Sequence, residues 1–138
     1  TRLLYSWRNS MRKEHFMGYR SEVVLAVSKD LMPHFLSVLA KTPDLRPLVF
    51  KDHSTLIKDY GGDDTFVVSW GGIKWYEGYP EIDALNKFID ECDGDDIEGI
   101  EDAHEHFRFL RLGEDYDDMI EKGELHCGDI CFNRSISF

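Results

Sequence analysis

The chain has 138 residues, 42% hydrophobic and 13% aromatic, with a net charge of −11, which suits one packed core and is too short for two domains. That charge opposes direct nucleic-acid binding, because affinity for phosphates comes from cations that displace counterions, and it opposes attraction to an anionic membrane surface. The longest apolar run, residues 23–27, falls far short of the roughly 20 residues a membrane-spanning helix needs.

At the N-terminus, Leu3-Leu4-Tyr5 is too short for a signal-peptide core, and Arg8, Arg12 and Lys13 stand where a small-residue cleavage site would lie. Residues 9–16 read instead as translated genetic punctuation. Asn9-Ser10 after Arg8 is what a GAATTC cloning site can encode when its first G ends the Arg codon, and Arg12-Lys13-Glu14 can be written AGGAAGGAG, a bacterial ribosome-binding sequence, with His15-Phe16 as spacer before Met17. The expectation is a vector-derived or flexible leader over 1–16 and a single α+β domain over 17–138.

The β-branched, apolar stretch at 20–28 predicts a buried strand. Ser28 offers a helix cap, Pro33 is tolerated in a first turn, and Leu31, Phe35, Leu36, Val38 and Leu39 share one face, so a helix is expected over 30–41. Residues 42–47 read as a break, and 47–60 fit either a short helix or a strand. Gly61 to Asp64 form a turn. Residues 65–76 then read as a hairpin, or as one strand bulged at Gly71-Gly72, with Phe66, Val68 and Trp70 on one face. Pro80 opens a second helix whose stripe is Ile82, Leu85, Phe88, Ile89 and Cys92, and Asp93-Gly94 stops it. Strands are expected at 104–112 and 129–138, with a helical turn in the intervening 113–125. The order β, α, β, α, β, β predicts a two-layer α+β sandwich, a ferredoxin-like antiparallel sheet with two main helices.

Three cysteines, Cys92, Cys127 and Cys131, form no paired framework, so reduced thiols and a cytoplasmic location are expected. The spacing in 90–102 rules out an EF-hand, since neither Gly94 nor Gly99 has an acid five positions before it. His104, His106, Cys127 and Cys131 have the donor types of a zinc site but not its usual spacing, and are weak metal candidates. Expected on one strand, the two histidines would share a face. No glycine-rich phosphate loop is present, and no cofactor is implied. A reactive thiolate needs positive surroundings, which Cys127 lacks, and no carboxylate pair stands out for acid-base work.

The charge is concentrated: residues 90–129 hold sixteen acids against Arg108, Arg111 and Lys122, whereas 17–89 hold ten acids and eight bases. Self-repulsion makes such a patch a feature to explain. Size, charge, the bacterial-type leader and the stretch FRFLRLGEDYDDMIEKGEL, residues 107–125, resemble small acidic proteins of uncharacterised function encoded by bacteriophages and prophages. The resemblance implies a host-cytoplasm setting and assigns no residue roles.

Binding is therefore expected over catalysis, with a basic protein as partner, steered by complementary potential. The expected contact residues are Asp93, Asp95, Asp96, Glu98, Glu114, Asp115, Asp117 and Asp118, with Trp75 and Tyr79 as apolar anchors. Two alternatives remain open: a DNA mimic that blocks a DNA-binding protein, and a small metal-dependent hydrolase using His104, His106 and nearby carboxylates.

Overall fold

The computed structural model describes residues 18–126, 130–132 and 136–137, the side chains of 131, 132, 136 and 137 excepted. The expected leader and Cys127 lie outside this set, as do the Cys131 side chain and parts of the expected strand at 129–138.

The chain runs β1 (Ser21–Val27), α1 (Met32–Lys41), α2 (Leu45–Phe50), β2 (Thr55–Tyr60), β3 (Thr65–Ile73), α3 (Pro80–Asp93), a 3₁₀ turn (Ala103–Glu105), β4 (Phe107–Leu112), β5 (Met119–Lys122), β6 (Cys131–Phe132) and β7 (Ile136–Ser137). The first five strands form one sheet in the order β2-β3-β1-β4-β5, every neighbouring pair antiparallel. Strands and helices in one packed unit make the fold α+β.

β1 is the central strand, and its unbroken apolar run fits burial on both faces. One face carries Val23, Leu25 and Val27 with Phe66, Val68 and Trp70 from β3 and Phe107 and Phe109 from β4. All three helices pack on it. Phe35 and Leu39 come from α1, Leu45 and Val49 from α2, and Leu85, Phe88, Ile89 and Cys92 from α3. Phe35 sits between Phe66 and Phe88, with ring centroids 5.8 and 5.1 Å away. Each such buried aromatic contributes about 1.5–3 kcal/mol of transfer free energy. The opposite face carries Val24, Ala26, Val67 and Leu110, covered by Ile57, Tyr60, Leu125 and Ile130. β6 and β7 form a separate two-stranded ladder, and β7 lies against β1 and β4.

Where local patterning is strong, the elements fall as the sequence predicts. β3 is one continuous strand, and the register with β1 steps from Ser21↔Ile73 to Glu22↔Gly71, leaving Gly72 as the extra residue of a bulge at φ +93°. The expected α3 stripe is wholly buried. Elsewhere the elements fall differently or settle an open choice. The stretch read as a break begins α2, because Pro47 falls within the first turn, where a missing N–H is no loss. The ambiguous segment then supplies β2. Residues 113–125 hold a loop and strand β5 in place of a helical turn, the register Leu112↔Met119 making β4 and β5 a hairpin. Residues 131–137, expected within a single strand, contain two short strands. The ferredoxin-like expectation included two main helices; the structure has a third, α2, and a fifth sheet strand, β5.

Candidate functional site

The end of α3 decides where the acids go. Asp95 N–H donates to Cys92 O at 3.1 Å and Asp96 N–H to Glu91 O at 2.8 Å, the paired bonds of a Schellman motif. The left-handed position is occupied by Asp95 itself, at φ +56°, whereas Gly94 has φ −89°. Aspartate tolerates that conformation better than most residues. The turn aims its carboxylate at His104: Oδ1 accepts from the His104 backbone N–H at 2.9 Å and lies 2.6 Å from ring Nδ1. On the other side of the ring, Nε2 lies 3.4 Å from Glu124 Oε2. Glu124 is held there by its own N–H, which donates to His104 O at 2.7 Å.

These contacts shift both groups. The Asp95 hydrogen bond, reinforced by the nearby charges of Asp95, Glu124 and Glu105, raises the His104 pKa above its ordinary value. The two hydrogen bonds from His104, backbone first, lower that of Asp95. Asp102 and Glu105 also bring carboxylates close to the imidazole.

Two open grooves adjoin this point. One runs along the solvent side of α3, lined by Glu77, Asp83, Asn86, Lys87, Asp90, Glu91, Asp95 and Asp96. The other is lined by Asp93, Asp95, His104, Glu121, Lys122, Gly123 and Glu124. Lys122 is drawn to Asp90 at 2.9 Å, and Arg108 pairs with Glu121. The result is an acidic face built from α3, the loop after it and the end of β5, with few cations.

Of the residues expected to form one arc, Asp93, Asp95 and Asp96 line these grooves, and Glu98 is exposed in the loop that follows. Glu114, Asp115, Asp117 and Asp118 do not join them. They lie in the β4–β5 loop, beyond the opposite end of β4, on the order of 20 Å of strand away. Two of the four, Asp118 and Glu114, are engaged in holding the chain together. Asp118 accepts from Arg111 Nη2 at 2.8 Å and Nη1 at 3.2 Å, and from the Tyr19 hydroxyl. Burial and the Asp118 bond push the Tyr19 phenol up to about 12. Arg111, only 7% exposed, also donates to Ser21 Oγ. Glu114 accepts from Arg20 N–H at 3.0 Å. Gly113 completes the arrangement, since a Cβ there would collide with the Asp118 carboxylate and the Tyr19 hydroxyl.

The histidines part company as well. His104 sits in the 3₁₀ turn, while His106 turns the other way, its Nδ1 3.0 Å from Ser28 Oγ. Neither is on β4, so the shared strand face expected for them does not form. Trp75 is half-buried against Trp70 and Phe109, whereas Tyr79 is exposed and meets Tyr76 in a tilted ring contact at 5.5 Å. Cys92 is buried in the core.

Sequence reasoning passed over Asp83, Asp90, Glu91, Asp102, Glu105, Glu121 and Glu124. The first three could have been found, because Asp83, Asp90 and Glu91 recur at helical spacing opposite the buried stripe. Glu121 and Glu124 depend on the β4–β5 pairing, which no local pattern announced.

No helix among the described residues is long and apolar enough to cross a membrane. No protein-family model matches the chain, and neither the curated proteins nor the solved structures provide a match.

Proposed function

We propose that this chain is an acidic docking module that binds a basic protein partner through the face formed by α3, the loop after it and the end of β5. The observation that carries the reading is the convergence of Asp83, Asp90, Glu91, Asp95, Asp96 and Glu124 on two adjoining grooves in which the cations are Lys87 and Lys122. Carboxylates gathered on one face with few cations among them set up a negative potential, which speeds encounter with a basic surface and disfavours acidic ones. The 114–118 loop is not part of this face, because it lies beyond the opposite end of β4, where Asp118 is held by Arg111 and Tyr19 and Glu114 by the Arg20 backbone. A bacteriophage or prophage origin and a host-cytoplasm setting belong to the same reading.

We infer a ferredoxin-like core from the run β1-α1-β2-β3-α3-β4 with strand order β4-β1-β3-β2, to which α2 and β5 are additions.

The test is capture from a host lysate at rising salt, with identification by mass spectrometry, using wild type, a D83N/D90N/E91Q variant and a D115N/D117N control. The expected result is a basic partner lost at high salt and by the α3 variant but kept by the control. If the captured protein also gives up bound DNA, the face imitates a DNA backbone. A partner list identical for wild type and the α3 variant refutes the docking face.

A further inference from the structure

We propose that His104, Glu105 and Glu124 form a binding site for a zinc-like divalent cation, with Asp95 orienting the imidazole from behind. The inference stands apart from the docking reading, since a metal could bind whether or not a partner does.

The imidazole is the first ground. A metal-bound histidine presents one ring nitrogen to the ion and donates the other N–H to a carboxylate, which fixes tautomer and ring orientation. His104 is set in that way: Nδ1 is held by Asp95 at 2.6 Å, and Asp95 is itself fixed by the His104 backbone N–H. Nε2 is thereby turned toward the second groove.

The spacing on that side is the second ground, and it is independent of the hydrogen bonds. Nε2 and Glu124 Oε2 are 3.4 Å apart, longer than a normal N–H···O bond of about 2.7–3.2 Å. Two ligands on a tetrahedral ion with bonds of about 2.0–2.1 Å are separated by about 3.3–3.4 Å. On an octahedral ion of the same bond length the edge is nearer about 3.0 Å, the geometry magnesium demands. A Glu105 carboxylate oxygen lies within 4.8 Å of a ring nitrogen of His104 and of a carboxylate oxygen of Glu124, so a swing of this exposed side chain brings in a third ligand, and water completes the set. One imidazole with two carboxylates suits zinc or cobalt better than magnesium or calcium.

The third ground is charge. Lys122 is taken by Asp90 and Arg108 by Glu121, so among the described residues His104 is the sole side-chain ion-pair partner of Glu124, and Glu105 has none. The backbone bond from Glu124 N–H to His104 O sets the distance between the two ligand-bearing segments before any ion arrives.

The experiment uses the full chain, stripped with chelator and titrated with Co²⁺ and then Zn²⁺. The expected result is one Co²⁺ per chain with the visible bands of tetrahedral cobalt, displaced by Zn²⁺, and no saturable Mg²⁺ binding. H104Q and E124Q should weaken binding at least tenfold, and D95N by about tenfold to a hundredfold. D117N, at the far end of β4, should leave it unchanged. In the unsubstituted protein, paramagnetic broadening by Co²⁺ should centre on the His104 imidazole, a readout that survives misfolding of any variant. Three outcomes overturn the proposal: no saturable binding up to millimolar metal, binding insensitive to both H104Q and E124Q, or broadening centred elsewhere. Cobalt–thiolate bands would place the ion on cysteines and overturn it equally.

Discussion

His104 and Asp95 are joined twice through a single carboxylate oxygen: Oδ1 accepts the backbone N–H at 2.9 Å and lies 2.6 Å from ring Nδ1. The pairing stitches the turn after α3 to the 3₁₀ turn before β4. It raises the imidazole pKa above the usual 6.5 and lowers the carboxyl pKa below the usual 3.8. A raised histidine stabilises the fold fully below pH 6.5, and that contribution fades as pH rises through its folded pKa. A depressed carboxyl stabilises above pH 3.8 and fades as pH falls through its folded pKa. The pair is therefore strongest between those limits. In chelator-treated protein, the NMR titration midpoint of His104 should lie higher in wild type than in D95N, and denaturant stability should fall more for wild type than for D95N as pH rises above 6.5. Coincident midpoints would show that the pair does not form in solution.

The Arg111–Asp118 pair should matter far more to stability. Removing one partner of a buried ion pair leaves an uncompensated charge and costs about 3–5 kcal/mol. Because Arg111 is nearly inaccessible and binds Asp118 through two nitrogens, D118A should lower the unfolding free energy by about 3 kcal/mol. D117N, one residue away and exposed, should stay within about 0.5 kcal/mol of wild type. Urea melts of the two variants decide it.

Cys92 should be inert in the native protein. Burial, helped by Glu91 and Asp93, pushes its thiol up to about 12, and the thiolate is the reactive form. Site-resolved mass spectrometry after brief alkylation at pH 8 should find Cys92 unmodified when folded and modified in denaturant. Rapid labelling in the folded state would contradict the packing of α3.

Gly123 ends β5 with φ +85°, and a Cβ there would collide with the Phe107 carbonyl oxygen. G123A therefore adds backbone strain to a steric clash and should destabilise by at least about 1 kcal/mol. It should also separate Glu124 from His104 and shift the His104 resonances. A neutral melt would mean that the β4–β5 hairpin ends differently.

Much of the helical layer was legible before folding. The apolar run of β1, the Phe66-Val68-Trp70 alternation, the Gly71-Gly72 bulge and the Ile82-Leu85-Phe88-Ile89-Cys92 stripe all follow from periods of 2 and 3.6 residues, which act within one element. The stop after Asp93 was legible too, though the chain gives the left-handed position to Asp95 where glycine was the natural choice. α2 escaped because two prolines in six residues look like a break when one of them in fact sits harmlessly in a first turn.

The sequence by itself determined that the last third of the chain is acidic and which stripes of α1, α3 and β3 are buried, because composition and short periods are properties of contiguous residues. Only the tertiary structure decided that those acids form two groups at opposite ends of β4, that Asp118 and Glu114 serve the fold, and that Glu124 meets His104. Those outcomes rest on the Leu112↔Met119 register and on the direction of one left-handed turn at Asp95. Both are settled by contacts between separate segments, β4 with β5 and the turn after α3 with the 3₁₀ turn before β4, and such pairing leaves no periodic trace in either segment.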